Sequence, residues 1–265
     1  MVSTFNENVA ARLAAIDQLA CSGGLDKAVD LIVAAIDGGG LLQAFGTGHS
    51  EAFAMEIAGR AGGLVPSHAI KLRDLVLLSR RDLASLDAPE TERDPGIADE
   101  LYELYNIHPA DVFLIASNSG VNGSIVGVAL RAHAEGHPVI AVTSIEHSHR
   151  VASKHPSGLK LCDIADVVID NRAPYGDATL PLGDGLAVGA VSSITAAYVA
   201  QMLTIGTAQR FLDRGDVPPL YISANVSEGD GHNAALEERY GARIKAYAFA
   251  SPKTDEVLPT ERKNS

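Results

Sequence analysis

Positive charge is scarce in this chain: 21 Lys and Arg stand against 33 Asp and Glu, for a formal net charge of -12. A phosphate polymer or an anionic membrane would meet a repulsive mean field, which argues against a dedicated nucleic-acid or anionic-membrane binder. A small anionic ligand is not excluded, because it needs only local donors. Cysteine is scarcer still. Cys21 and Cys162 are the only two, too few for a disulfide framework. The N-terminal "MVSTFNENVAARLAAIDQLA" has no basic region followed by an apolar run, so no secretory leader is read there. We expect a reduced, cytoplasmic protein.

Charge is also missing from Gly185 to Gln209, "GLAVGAVSSITAAYVAQMLTIGTAQ", a stretch long enough to span a bilayer. Yet it carries Ser192, Ser193, Thr195, Gln201, Thr204 and Thr207, is rich in small residues, and lacks flanking aromatic belts or a basic side. We read it as a buried core or dimer-interface helix, not a membrane span. Repeats at solenoid spacing are absent, and so is the Gly-Lys-Ser/Thr of a P-loop.

What is present is a chain of 265 residues with 46% apolar content, enough for one α/β domain with elaborations or for two small domains. Ala10 to Ile36 has helical periodicity, with Leu13, Ile16 and Leu19, then Leu25, Val29, Ile32, Val33 and Ile36. Ser22-Gly23-Gly24 splits it into two helices. Short apolar runs follow at Leu41–Phe45, Leu64–Ile70, Val112–Ala116, Val139–Thr143 and Val167–Ile169, several separated by helical periodicity such as Ile125, Val128, Ala129 and Ala132. Runs apolar on both faces that alternate with helices predict a parallel sheet covered on both sides. The segment from Arg73 to His108 is irregular and charged, and is read as a solvated excursion over the sheet rather than a lid. The tail after Ser251 reads as disordered.

In such sheets ligands sit beyond the carboxyl ends of the strands. Two turns there are unusual: "GTGHS" after the first strand and "SNSGVNGS", Ser117 to Ser124, after "DVFLIA". Gly46-x-Gly48 begins a dinucleotide pattern, but Glu51 stands where the third glycine belongs and "PSHAIK" supplies no acidic ribose ligand. A strand–turn–helix junction with glycines and hydroxyls instead suits phosphate or another tetrahedral anion, with Thr47, Ser50, Ser117 and Ser119 as donors.

"FGTGHS" paired with "SNSG" resembles the SIS (sugar isomerase) fold. "AVTSIEHSHRVASKHPSGLKLCDIADVVIDNRAPYGDA" and "SANVSEGDGHN" resemble a phosphosugar-binding branch of it, related to phosphoheptose isomerase-like proteins. The likeness spans about residues 5 to 245. It implies a five-stranded parallel sheet sandwiched by helices, and a homodimer or dimer of dimers with its sites near the subunit interface. It also implies that Ser50, Ser117 and Ser119 hold a sugar phosphate, with Gly46, Thr47, Gly48, Asn118 and Gly120 in the backbone cradle. Asn122 stands where relatives often have Thr, and its amide can still donate. In the phosphoheptose isomerase branch a His and a Glu four residues apart serve catalysis or bind zinc; their positions are Glu56 and Arg60 here, so neither metal nor cofactor is expected. The division implied is 1–37 as N-terminal helices packing on the domain or on a partner copy, 38–250 as the SIS domain, and 251–265 as the tail.

Aldose–ketose interconversion needs a base to move a proton between C1 and C2 and an acid at the ring or carbonyl oxygen. Glu51 falls in the first turn of the helix after "GTGHS", where the macrodipole stabilises an anion, and Glu56 lies further along with Arg60 four residues on. His232, in the Gly-rich "SEGDGHN" beside Asp230 and ahead of a helix expected near Ala234, is the candidate partner acid. His49, His68, Thr143 and His147 are possible substrate contacts. The group His147, His149 and His155 lacks a completing cysteine or carboxylate and reads as loop hydrogen bonding rather than a metal site. The reading is a sugar-phosphate isomerase working through an enediol. Its alternatives are a sugar-phosphate lyase acting by β-elimination, like the SIS etherases, or a non-catalytic phosphosugar sensor.

Overall fold

The first strand, β1, shows why the chain folds as it does: all five residues of Leu42–Gly46 are buried, so it must have neighbours on both edges and cover on both faces. The computed structural model of the chain describes residues 1–79, 81–86 and 89–244. The expected tail, 251–265, and the end of the expected 38–250 domain lie outside them. In chain order the elements are α1 (Val2–Cys21), α2 (Asp26–Asp37), β1, α3 (Glu51–Ile57), β2 (Ser67–Ile70), α4 (Asp74–Leu77), α5 (Pro89–Arg93) and α6 (Ile97–Glu103). Then come β3 (Val112–Ala116), α7 (Gly123–Ala134), β4 (Val139–Thr143), α8 (Ile145–Arg150), α9 (Leu161–Ile164) and β5 (Val167–Asp170). A hairpin β6 (Ala178–Gly183) and β7 (Leu186–Ala190) precedes α10 (Ser192–Asp213) and α11 (Gly229–Tyr240).

Five strands form one parallel sheet in the order β2-β1-β3-β4-β5. Successive side chains alternate between its faces. Leu42, Ala44, Val112 and Leu114 point to a core shared with Ile16 of α1, Val29 and Ile32 of α2, Phe53 of α3, and Val199 and Leu203 of α10. Phe45, Phe113 and Ile115 point the other way, onto Ile97 and Leu101 of α6, Ile125 and Val128 of α7, and Leu161 of α9. Truncating any one of these large side chains to Ala should cost about 2–5 kcal/mol. The two N-terminal helices are thus part of the first core, separated at Gly23-Gly24 as the periodicity predicts.

Two expectations are corrected. The uncharged stretch from Gly185 is not one helix: Leu186–Ala190 is a strand of the hairpin, and the helix starts at Ser192. Asp177 sets that start, its carboxylate accepting from Val191 N (3.1 Å), Ser192 N (2.7 Å) and Ser192 Oγ (2.7 Å). Among the described residues no helix is long and apolar enough to cross a membrane. The segment from Arg73 to His108 is not merely solvated, because Leu75, Ile97, Ala98 and Leu101 are buried against the sheet.

At the amino ends of the strands, Asp111 is fully buried and saturated with donors. Leu41 N (2.8 Å), Gln43 Nε2 (2.8 Å), His108 N (3.0 Å) and Arg243 Nη2 (2.6 Å to Oδ1) all converge on its carboxylate.

Candidate functional site

At the opposite end of the sheet, β1 and β3 are adjacent and stop together, Gly46 facing Ala116 across the ladder. Their two following turns are therefore neighbours in space, although far apart in sequence. Between them opens a cleft of about 300 Å³ lined by Thr47, Ser50, Ser117, Asn118, Ser119, Asn122, His147 and Val151, with Glu92 and Lys154 at its wall. A narrow crevice continues inward past His49, Ser50 and Asn118 to Asn171, Ser192 and Ser193 at the start of α10.

The second turn is built to be rigid. Ser117 Oγ accepts from Gly120 N (3.1 Å), and the Gly120 carbonyl accepts from Leu161 N (2.8 Å). The Asn118 carbonyl takes Ser144 N (3.0 Å) and Thr143 Oγ1 (3.3 Å). The Asn118 amide is held from both sides, by Asn171 Nδ2 donating to Oδ1 (3.2 Å) and by Nδ2 meeting His147 Nδ1 (3.4 Å). Gly176 N also reaches His147 Nδ1 (3.4 Å). A backbone N–H can only donate, so Nδ1 is the acceptor and the neutral ring carries its proton on Nε2. Burial pushes the His147 pKa down, against the opposing pull of Asp177 and Glu146, which favours this neutral form.

The hydroxyls of Thr47, Ser50 and Ser119 have no hydrogen-bond partner among the described residues, and all three side chains belong to the cleft wall. Lys154 is the one cation among the described lining residues; its Nζ donates to Asn122 Oδ1 (3.3 Å), and its backbone N is fixed on the Val121 carbonyl (2.9 Å). Unpaired hydroxyls, a following twelve-residue helix α7 and one lysine make an anion-accepting wall.

Thus all nine residues expected in the phosphate cradle lie on the two turns, Gly46 closing β1 and Asn122 preceding α7. His49 lines the crevice and His147 the cleft. Other expected residues are not brought to it. Thr143 is fully buried and spends its hydroxyl on Asn118, so it supports the turn and is not a ligand contact. His68 is buried in β2, edge-on to Tyr105 with ring centroids 4.9 Å apart. Desolvation, reinforced by Lys71 and Arg243, drives its pKa to about 4.

The expected acid–base set is dispersed as well. Glu51 opens α3 and forms an ion pair with Arg73 at 3.3 Å, while Glu56 pairs with Arg60 and accepts from Gln201 Nε2 of α10 (2.6 Å). Neither lines the cleft or the crevice. His232 does not sit in a loop: α11 begins at Gly229, earlier than expected, and His232 Nε2 meets the Leu220 carbonyl (2.9 Å). Asp230 falls in the first turn of that helix and does not orient it. Asn233 brackets Ile222, accepting from its N–H (3.1 Å) and donating to its carbonyl (2.9 Å), and with Ser223 and Asn225 it frames a separate surface depression.

Sequence reasoning missed Glu92, Lys154, Asn171, Ser192 and Ser193. Lys154 and Asn171 lie inside the long central motif but carry no local pattern. Ser192 and Ser193 were absorbed into the uncharged stretch. Glu92 sits in the irregular acidic segment, where nothing in the spacing separates it from Glu90 or Asp94.

A family model described as "SIS domain" matches residues 4–144, just over half of the chain and including both turns. The chain is 37% identical over 215 residues to a UPF0309 protein of Halalkalibacterium halodurans, covering 81% of this chain and 87% of that one. It is 36% identical over 222 residues to a UPF0309 protein of Listeria monocytogenes, covering 83% and 89%. Among solved structures it is similar to a phosphoheptose isomerase from Francisella tularensis, with a TM-score of 0.53, 15% identity and coverage of 78% and 96%, a likeness of fold.

Proposed function

The chain belongs to the SIS domain family, and from that premise we propose that it binds a sugar phosphate and interconverts its aldose and ketose forms through an enediol. One observation carries the binding half: the hydroxyls of Thr47, Ser50 and Ser119, unpartnered among the described residues, converge with Lys154 on a single cleft of about 300 Å³, at the carboxyl ends of two adjacent parallel strands. That is room for a small ligand with one anionic end. The phosphate rests on Ser50, Ser117, Ser119 and Asn122, and the carbon chain extends toward His147 and His49. His147, neutral and donating through Nε2, is the group best placed to hold or protonate a carbonyl oxygen. Glu56 and Glu51, on helix α3 after Ser50, remain the proposed sources of a base, a role that requires the ion pair to Arg60 or Arg73 to open toward the cleft.

The test incubates the whole protein with aldose, ketose and N-acetylhexosamine phosphates in D2O and follows the C2 proton by NMR. Exchange with ketose or aldose product supports the reading. Loss of a side group indicates elimination, and saturable binding without exchange by the wild type sinks the enzymatic half. Glu56→Gln, His147→Ala and His232→Ala then assign the proton carriers: an unchanged rate removes that residue. The proposed homodimer has an apolar surface to cover in Leu182, Leu186 and Val188 of the hairpin and Ile194 beside it, all exposed in the single chain. Light scattering on the purified protein reads the oligomeric state directly.

A further inference from the structure

Among the described residues that line the cleft, one is a carboxylate, an unexpected partner for a phosphate: Glu92 of α5. Its backbone is anchored. Ser124 Oγ, fully buried in the first turn of α7, donates to the Glu92 carbonyl (2.7 Å). Gly123 lets the next residue pass so closely that a Cβ there would stand 2.0 Å from the Arg93 carbonyl oxygen. The side chain, by contrast, extends between the two turns. Asn122 Nδ2 donates to its Oε2 (3.3 Å), and its Oε1 lies 2.9 Å from where a Cβ of Gly48 would be. Gly48, at φ 54°, is a position where a side chain would be both strained and in collision with this carboxylate.

Glu92 therefore bonds Asn122 of one phosphate turn and fills the space beside Gly48 of the other, at the amino end of α7, with Lys154 reaching the other side of the same Asn122 amide. This is where negative charge is stabilised and where the ligand's own anion would go. We propose that Glu92 is an internal anion that occupies the cradle until the phosphate of the ligand enters and displaces it. The inference rests on the phosphate-cradle reading above. Its consequence is that the site holds ligand less tightly than its donors allow, and that phosphate occupancy dictates where the Glu92 carboxylate points. The backbone anchors stay in place, because they do not involve the carboxylate.

The experiment measures binding of inorganic phosphate, a dianion at about pH 8, and of methanesulfonate, a monoanion, by calorimetry on the whole protein. It compares wild type, Glu92→Gln and Glu92→Ala. Both variants are expected to bind both anions about ten-fold more tightly, the scale of freeing one charge-assisted contact. The factor is expected to be the same for the two anions, since displacing Glu92 costs the same whichever one enters. A wild type too weak to measure beside a variant that saturates counts as that gain. Unchanged or weaker binding by both variants overturns displacement and makes Glu92 a fixed charge at the start of α7. A gain confined to phosphate also overturns it, because only a carboxylate that stays beside the ligand repels in proportion to ligand charge. Ser50→Ala separates the two levels. If phosphate binding in wild type and variants ignores Ser50, the cradle reading itself has failed; if binding requires Ser50 but not the loss of Glu92 charge to tighten, displacement alone has failed.

Discussion

The two ends of the parallel sheet are made from similar materials and put them to opposite uses. At the amino ends, one buried carboxylate, Asp111, collects donors from the starts of β1 and β3 and from Arg243, so both of its oxygens are partnered within the protein, while Gln43 Oε1 beside it is buried without a partner among the described residues. At the carboxyl ends, the hydroxyls of Thr47, Ser50 and Ser119 have none among the described residues, and the one carboxylate among the described lining residues, Glu92, is held by a single long amide contact. Saturated polar groups specify a structure; unsaturated ones around a cavity await a ligand. The difference predicts that mutations at the amino end change stability without changing ligand affinity, and that mutations of the unpartnered hydroxyls at the carboxyl end do the reverse.

The largest effect should come from Asp111→Ala. It leaves buried Leu41 N and Gln43 without an acceptor and Arg243 without its charge partner, and should cost about 3–5 kcal/mol in urea unfolding. Phosphate affinity of the fraction that stays folded should be unchanged. If affinity collapses in step with stability, the two ends are not independent.

Next is the pH response of His68, which lies in β2 between the two ends. Its pKa falls from 6.5 unfolded to about 4 folded. Between these values the unfolded chain binds a proton that the native chain refuses, so stability drops as pH falls from about 6.5 to about 4 and the loss then levels off. The total is about 3 kcal/mol. His68→Gln should flatten that part of the stability curve. Asp74, whose pKa burial raises, pulls the other way in both proteins and cancels from the comparison. A wild-type curve with the same slope as the variant would show that His68 is not held neutral.

How much of this was legible beforehand follows from the same contrast. The five strands and the two turns could be read because they obey short-range rules: apolar runs such as "DVFLIA", and glycine–hydroxyl turns such as "GTGHS" directly after a strand. Their pairing across the sheet, from the resemblance of "FGTGHS" and "SNSG" to one family, located Ser50, Ser117 and Ser119 together. The hairpin was hidden because Leu186–Ala190 has the same uncharged composition as the helix after it, and only the Asp177 cap divides them. Glu92 and Lys154 reach the cleft from separate segments, through contacts 30 positions apart for the Glu92–Asn122 pair and 32 for the Lys154–Asn122 pair. No local pattern encodes such a meeting. His232 was misplaced for a third reason: "SEGDGHN" carries two glycines and looks like a loop, yet helix α11 begins within it.

At the carboxyl end, Ser117 serves both the turn and the ligand, whereas Ser50 serves the ligand alone. Ser117 Oγ is a structural acceptor for Gly120 N, so Ser117→Ala should lose about 1 kcal/mol of stability and also weaken phosphate binding, since the turn it shapes loosens.

Ser50 is the sharper instrument. Its hydroxyl makes no hydrogen bond to a described residue, and as N-cap of α3 it provides no side-chain cap. Ser50→Ala should therefore leave stability within about 0.5 kcal/mol of wild type, as for substitutions that touch no structural partner. The same change should weaken sugar-phosphate binding about ten-fold, the worth of one charge-assisted hydrogen bond to phosphate. A variant that loses stability but keeps its affinity would put Ser50 with Asp111 among the saturated groups, and the contrast between the two ends of the sheet would no longer mark the ligand site.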